Sequence, residues 1–180
     1  MIPLMRACTD QTKIEAFLTS ARIGYLGLTD GSRPYVIPLN YVWWNNRIYF
    51  HGSANGRKVD LIAQNSSACF TISEEYGTIA HPVPAETDTA FMSVVLIGNA
   101  ELVTDLEEAT EALDHLLTKY VPNYYESPLA REHVSKYRSS RGNPVGVYRI
   151  DAHTITAKEN PVNEEKMFYP GRTREMDSGR

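Results

Sequence analysis

Cysteine is scarce, with only Cys8 and Cys69 in 180 residues. The two lie far apart, without a CxxC pair or a histidine at ligand spacing, so neither a disulfide framework nor a zinc site organises this chain. Both read as free thiols of a reducing, cytoplasmic compartment. Long apolar runs are also missing. No stretch approaches the length of a membrane span, and Met1 to Cys8 is too short and too mixed for a secretory signal. Net charge is −4, and no run of Lys and Arg is long enough to track a phosphate backbone, which argues against nucleic acid as a partner. Neither a GxGxxG dinucleotide fingerprint nor a GxxxxGK[ST] loop occurs. There is no internal repeat and no cluster that would hold a metal.

A chain of this length can bury roughly 70% of the surface its unfolded form exposes, enough for one domain. That domain is expected over residues 1–159. Residues 160–180 are polar, contain Pro161 and Pro170, and predict a mobile tail unless Met167, Phe168 and Tyr169 dock.

Ile14, Phe17, Leu18 and Ala21 repeat at helical spacing after Thr9 and Asp10, either of which can cap. Strands are expected at 23–28, 35–43, 47–51, 67–73, 91–103, 145–150 and 154–158, with turns at Asp30-Gly31 and Asn45-Asn46. Helices are expected at 56–64 and 104–120, the latter with Thr104 as cap, acidic residues in its first turn and Lys119 in its last. Residues 74–89, with Gly77, Pro82 and Pro84, read as a long loop. Helices that do not alternate strictly with strands favour an α+β antiparallel barrel over a doubly wound sheet.

Three windows carry chemistry. In Phe50-His51-Gly52-Ser53-Ala54-Asn55-Gly56-Arg57-Lys58, two cations open a helix whose N-terminus is already partly positive. They oppose the helix dipole by up to about 1 kcal/mol, whereas an anion bound there reverses the sign and satisfies free N–H groups. A phosphate explains the pattern, with Gly52 and Gly56 allowing close backbone approach; solvated surface charges are the alternative. In the strand from Tyr35 to Trp43, Pro38 cannot donate to a ladder, so it marks an edge strand or a gap that a flat ring could fill, with Asn40 at its rim. In the third window Ser93 interrupts an apolar strand, where it either meets a ligand or bonds to nearby backbone.

In order and spacing, "PYVIPLNYVW", "IYFHGSANGRKVDLI", "SVVLIGNAEL" and "VYRIDAHTITAK" together resemble the pyridoxamine-phosphate-oxidase-like split-barrel flavoproteins over about residues 10–158. The resemblance implies a split β-barrel that binds FMN. Tyr35, Val36, Ile37, Pro38, Leu39 and Asn40 would line the flavin ring. His51, Gly52, Ser53, Arg57 and Lys58 would follow the ribityl chain and phosphate, and Ser93 would approach from the long strand. It also implies a homodimer with FMN at the subunit interface. The chain lacks the basic residues and the Trp/Arg-rich C-terminal segment of the vitamin B6 oxidases. It looks more like the subgroup that contains nitroimidazole-resistance reductases. The function implied is reduction of small electrophiles, such as nitro compounds or quinones, with a nicotinamide as donor; a non-catalytic flavin module and a haem-binding barrel are the alternatives. His51 is the candidate proton-handling group. His81, in the long loop, is a second group within possible reach of substrate, while His115, His133 and His153 read as surface or packing residues.

Overall fold

The structure is a computed structural model and describes residues 6–139 and 142–178. Its strands are β1 (Ala7–Cys8), β2 (Ile23–Thr29), β3 (Pro34–Asn40), β4 (Val42–Trp44), β5 (Arg47–Ser53), β6 (Ser67–Ile79), β7 (Asp88–Leu102) and β8 (Val145–Asn160). The helices are α1 (Gln11–Ser20), α2 (Arg57–Gln64), α3 (Leu106–Tyr120), α4 (Arg131–Ser135) and α5 (Arg174–Ser178). All strand pairings are antiparallel, in the order β3-β2-β6-β7-β8-β5-β4, with β1 also on β8.

The two ends of this path are β3 and β4, which a single residue joins in sequence. The sheet must therefore curl until its ends meet, and the result is the α+β split barrel. Tyr41 is the joining residue and is fully buried. Its hydroxyl donates to the Leu18 carbonyl at 2.8 Å, and its backbone N–H donates to the Tyr120 hydroxyl at 3.0 Å, so α1 and α3 both grip the seam. The continuous strand expected over 35–43 breaks here, because one straight strand cannot serve both ends of the path.

Alternation along β5 sorts the core. Ile48 and Phe50 face the barrel interior with Leu26, Phe70, Ile72, Val94, Leu96 and Tyr148. Tyr49 points the other way, into a second cluster with Val42, Val147 and the α3 residues Ala109, Ala112, Leu113 and Leu116. Each fully buried Leu, Ile, Val or Phe contributes about 1.5–3 kcal/mol, which makes the interior cluster the main source of stability.

Several boundaries differ from expectation. Asp10, one of the two expected caps, closes the start of α1 by accepting from Thr12 and Lys13, but Asp105 rather than Thr104 caps α3, its carboxylate accepting from the Glu108 N–H at 2.8 Å. The expected strands at 145–150 and 154–158 are one strand, with His153 set aside in a bulge of the β7–β8 ladder. The long loop expected over 74–89 is mostly ladder. β6 pairs with β7 as far as Ile79 and Asp88, with an irregularity between Glu75 and Gly77, where Gly77 supplies a φ of +123°. Cross-strand pairing of Thr78 and Ile79 outweighs the turn propensity of Gly77. The C-terminal segment takes the docking alternative: the Ala80 N–H donates to the Lys166 carbonyl at 2.8 Å, and the Phe168 N–H donates to the Thr78 carbonyl at 2.7 Å. No helix among the described residues is long and apolar enough to cross a membrane.

Candidate anion cradle at the head of the second helix

The end of β5, the turn after it and the first turn of α2 form a small concave cradle. Gly56 sits at the helix cap with φ +106°, a left-handed value that suits glycine, and its lack of a side chain leaves α2 without a side-chain cap. That distinguishes α2 from α1 and α3, both capped by aspartate. Asp60 is the one carboxylate in the first turn of α2, against Arg57 and Lys58. Upstream, the Ser53 hydroxyl accepts from the Asn55 N–H at 3.2 Å, and the Ala54 N–H donates to the Pro144 carbonyl at 2.9 Å, fixing the turn against the segment that leads into β8.

Lys58 turns inward from this turn. Its ammonium lies 4.4 Å from the centroid of the Tyr148 ring and 5.4 Å from that of Phe50, two rings stacked with centroids 5.3 Å apart. Among the described residues no carboxylate pairs with it. Burial without a counterion pushes its pKa down to about 8. Gly52 is what admits it: a Cβ there would stand 2.5 Å from the Lys58 Nζ. Arg57 stays exposed and lays its guanidinium 4.9 Å over the ring of Tyr35, tying the start of β3 to the same cradle.

His51 precedes Gly52 at the exposed surface of β5. Surrounding protein, and secondarily the Lys58 charge, hold its pKa below the ordinary imidazole value, so it is neutral at physiological pH. Its ring centroid lies 6.5 Å from that of Tyr137.

The expected ring-lining strand is an edge strand. Tyr35, Ile37 and Leu39 pack against the barrel core, while Val36, Pro38 and Asn40 face outward, Val36 with 62% exposure. Pro38 stands opposite Tyr25 of β2, at the open end of the sheet path. Ser93 is placed elsewhere. It lies on β7 opposite Ser73 and Lys158, with β2 and β6 between it and β3. Within one chain it shares the outward sheet face with Val36, Pro38 and Asn40 and is not part of the cradle.

His81 is likewise remote. The β6–β7 hairpin begins at Ile79 and Asp88, whereas Tyr148 of the cradle pairs with Leu102, at the other end of β7. The His81 Nδ1 accepts from the Val83 N–H at 3.1 Å, and its Nε2 lies 3.3 Å from Glu86, so the ring is tied into its own turn. Sequence reasoning passed over the stacked Phe50–Tyr148 pair beneath Lys58, since β5 and β8 lie almost a hundred residues apart. It also passed over the packing of 129–137 on α3, where residues of irregular spacing give no periodic signal.

The donor set fits a phosphate monoester: an uncapped helix N-terminus, one exposed guanidinium, one half-buried ammonium that no carboxylate pairs with among the described residues, and a glycine whose Cβ would displace that ammonium.

Comparison with known proteins agrees on the fold. A family model described as pyridoxamine 5'-phosphate oxidase matches residues 10–159. No curated protein sequence matches. Among solved structures, the flavocytochrome Anf3 of Azotobacter vinelandii superimposes with a TM-score of 0.71 at 23% identity, over 92% of this chain and 76% of that one. A candidate 5-nitroimidazole antibiotic resistance protein of Bacteroides thetaiotaomicron gives 0.65 at 24% identity, over 84% and 85%. An FAD and haem binding protein of Mycobacterium smegmatis gives 0.69 at 15% identity, over 89% and 77%. By the extent of the family match, this chain belongs to the pyridoxamine 5'-phosphate oxidase family.

Proposed function

We propose that this chain is a flavoprotein that holds the phosphate of FMN at the head of α2 and reduces small electrophiles such as nitro compounds and quinones, with a nicotinamide as electron donor. The observation that carries the reading is the half-buried Lys58 ammonium, held with no carboxylate partner among the described residues beside an uncapped helix N-terminus. A bound flavin supplies the two-electron chemistry; the protein supplies binding, orientation and electrostatics. Arg57 and Lys58 bind the phosphate, and the free N–H groups of the first turn of α2 donate hydrogen bonds to its remaining oxygens. The backbone of Tyr35 to Asn40 offers the edge of a strand to the ring. His51, neutral and at the rim, is the group placed to exchange a proton with a substrate.

The outward sheet face supports a homodimer. Ile23, Tyr25, Val36, Thr71, Val95 and Thr156 lie there on adjoining strands and carry no charge, and Ser93 lies beside them at the margin that also holds Lys158 and Glu75. Pairing of two such faces brings Ser93 to the partner's flavin rather than its own. The likeness to a nitroimidazole resistance protein favours the same reductase subgroup. Cys8 and Cys69 are both free, which suits a reducing cytoplasm.

FAD is the second reading for the cofactor, because a similar structure is named for FAD and because the cradle, with Asn55, Gly56 and Arg57 exposed, leaves room beyond the phosphate. On the same ground, the same name and the flavocytochrome make haem a companion to test for. Release of the cofactor followed by mass spectrometry decides between FMN and FAD, and a Soret band in the visible spectrum reports haem. Titration of the flavin-free protein should show FMN binding about 10- to 100-fold weaker in Arg57→Ala, the worth of one charge-assisted hydrogen bond. Unchanged affinity there would remove the phosphate from α2.

A further inference from the structure

A second concave site lies on the other side of His51. Between α3 and the segment that carries α4 is a cavity of about 250 Å³ whose floor is Leu113, Leu116, Leu129 and Val134. Two links hold α4 over it: Arg131 pairs with Glu107 at 2.5 Å, and the Leu129 N–H donates to the Asp114 carboxylate at 3.2 Å. The polar side chains among its described lining residues are the imidazoles of His51 and His133 and the phenols of Tyr125 and Tyr137.

Among the described residues the lining contains no Lys, Arg, Asp or Glu. An ionic ligand would leave its charge without a counterion on an apolar floor, a cost of several kcal/mol that an uncharged ligand avoids. The volume suits two fused six-membered rings. The rim offers N–H and O–H donors, which call for oxygen acceptors on the ligand. We propose that this cavity binds an uncharged, planar bicyclic aromatic molecule bearing acceptor oxygens, the class to which nitroarenes and quinones belong. His51 belongs to both sites, following Phe50 and preceding Gly52 of the cradle while its ring reaches toward Tyr137 in the cavity. The role of such a ligand as electron acceptor rests on the flavin reading above; its binding does not.

The test is titration of the purified protein with 1-nitronaphthalene, followed by quenching of tryptophan fluorescence, since Trp44 packs against the same cluster as Leu113 and Leu116. Naphthalene and naphthalene-1-sulfonate serve as the ligands without an acceptor and with a charge. Saturable uptake of one 1-nitronaphthalene per chain, tighter than either comparison ligand by about tenfold, is expected. Val134→Phe and, from the other wall, Leu129→Phe should each weaken it by about tenfold or more by filling the cavity. His51→Phe should remove the preference over naphthalene. Arg57→Ala should leave this binding unchanged while it weakens flavin, so the two sites fail separately. Uptake that neither filling variant affects, or a preference for the sulfonate, would overturn the proposal. So would a Soret band on adding haemin that blocks nitronaphthalene uptake and is lost in His133→Ala, since the cavity would then belong to haem.

Discussion

The ammonium of Lys58 lies 4.4 Å from the centroid of the Tyr148 ring, with no carboxylate to answer its charge among the described residues. Ring faces replace part of its hydration, while burial lowers its pKa to about 8. A phosphate in the cradle would complete the replacement.

This sets the pH dependence of flavin binding. Burial lowers the Lys58 pKa to about 8, and a phosphate held as proposed would require its protonated form. Binding above that pH therefore takes up a proton. FMN affinity should be flat from pH 6.5 to 7.5 and then fall toward about tenfold per pH unit above 8. In Lys58→Arg the fall should vanish, because a guanidinium keeps its charge. Isothermal titration in buffers of different ionisation enthalpy measures the proton uptake directly.

Gly52→Ala tests the geometry rather than the charge. The new Cβ would stand 2.5 Å from the Lys58 Nζ, and since that is the end of a flexible side chain, Lys58 moves and the barrel does not. Thermal unfolding should change little, while FMN affinity drops by about tenfold, the loss of one charge-assisted contact.

Lys119 carries the same kind of charge away from the cradle. Its Nζ is buried without a hydrogen-bond partner, 3.9 Å from the centroid of the Tyr41 ring. Burial, and then the Arg22 charge, lower its pKa to about 8, partly offset by Glu74. The folded state therefore holds this proton less tightly than the unfolded chain, so the charge destabilises the fold fully below pH 8. The penalty fades as pH rises from 8 toward the ordinary lysine value of 10.5. Lys119→Met should be more stable than the parent at pH 7, and the difference should shrink between pH 8 and 10 in parallel urea titrations.

The seam of the barrel gives a stability prediction. Tyr41→Phe removes the donor to the Leu18 carbonyl and leaves the ring against Phe70 in place. A loss of about 0.5–1.5 kcal/mol is expected, with unfolding still cooperative; denaturant unfolding at constant m-value checks it.

What was legible in the sequence was local. Arg57, Lys58, Gly52 and Gly56 stand within seven residues, and opposition to a helix dipole needs no tertiary information to notice. Pro38 likewise announced an edge strand, because a missing donor is a property of the residue itself. What was not legible depended on distant partners. Gly77 reads as a loop residue until the β7 partners of Thr78 and Ile79 are known. The Tyr41 seam needs Leu18 and Tyr120, and the rings beneath Lys58 come from β5 and β8. Ser93 matched a motif yet has two strands between it and β3, and only under the proposed dimer would it reach a flavin.

The central claim is that the cradle recognises a phosphate, and the most direct measurement compares riboflavin with FMN in the flavin-free protein and in Lys58→Met. The two ligands share the ring and ribityl chain and differ only in the phosphate. The account predicts that the parent binds FMN at least about 100-fold more tightly than riboflavin, as two charge-assisted contacts require, and that most of this preference disappears in Lys58→Met. Equal affinity for the two flavins in the parent, or a preference that survives intact in Lys58→Met, would contradict it.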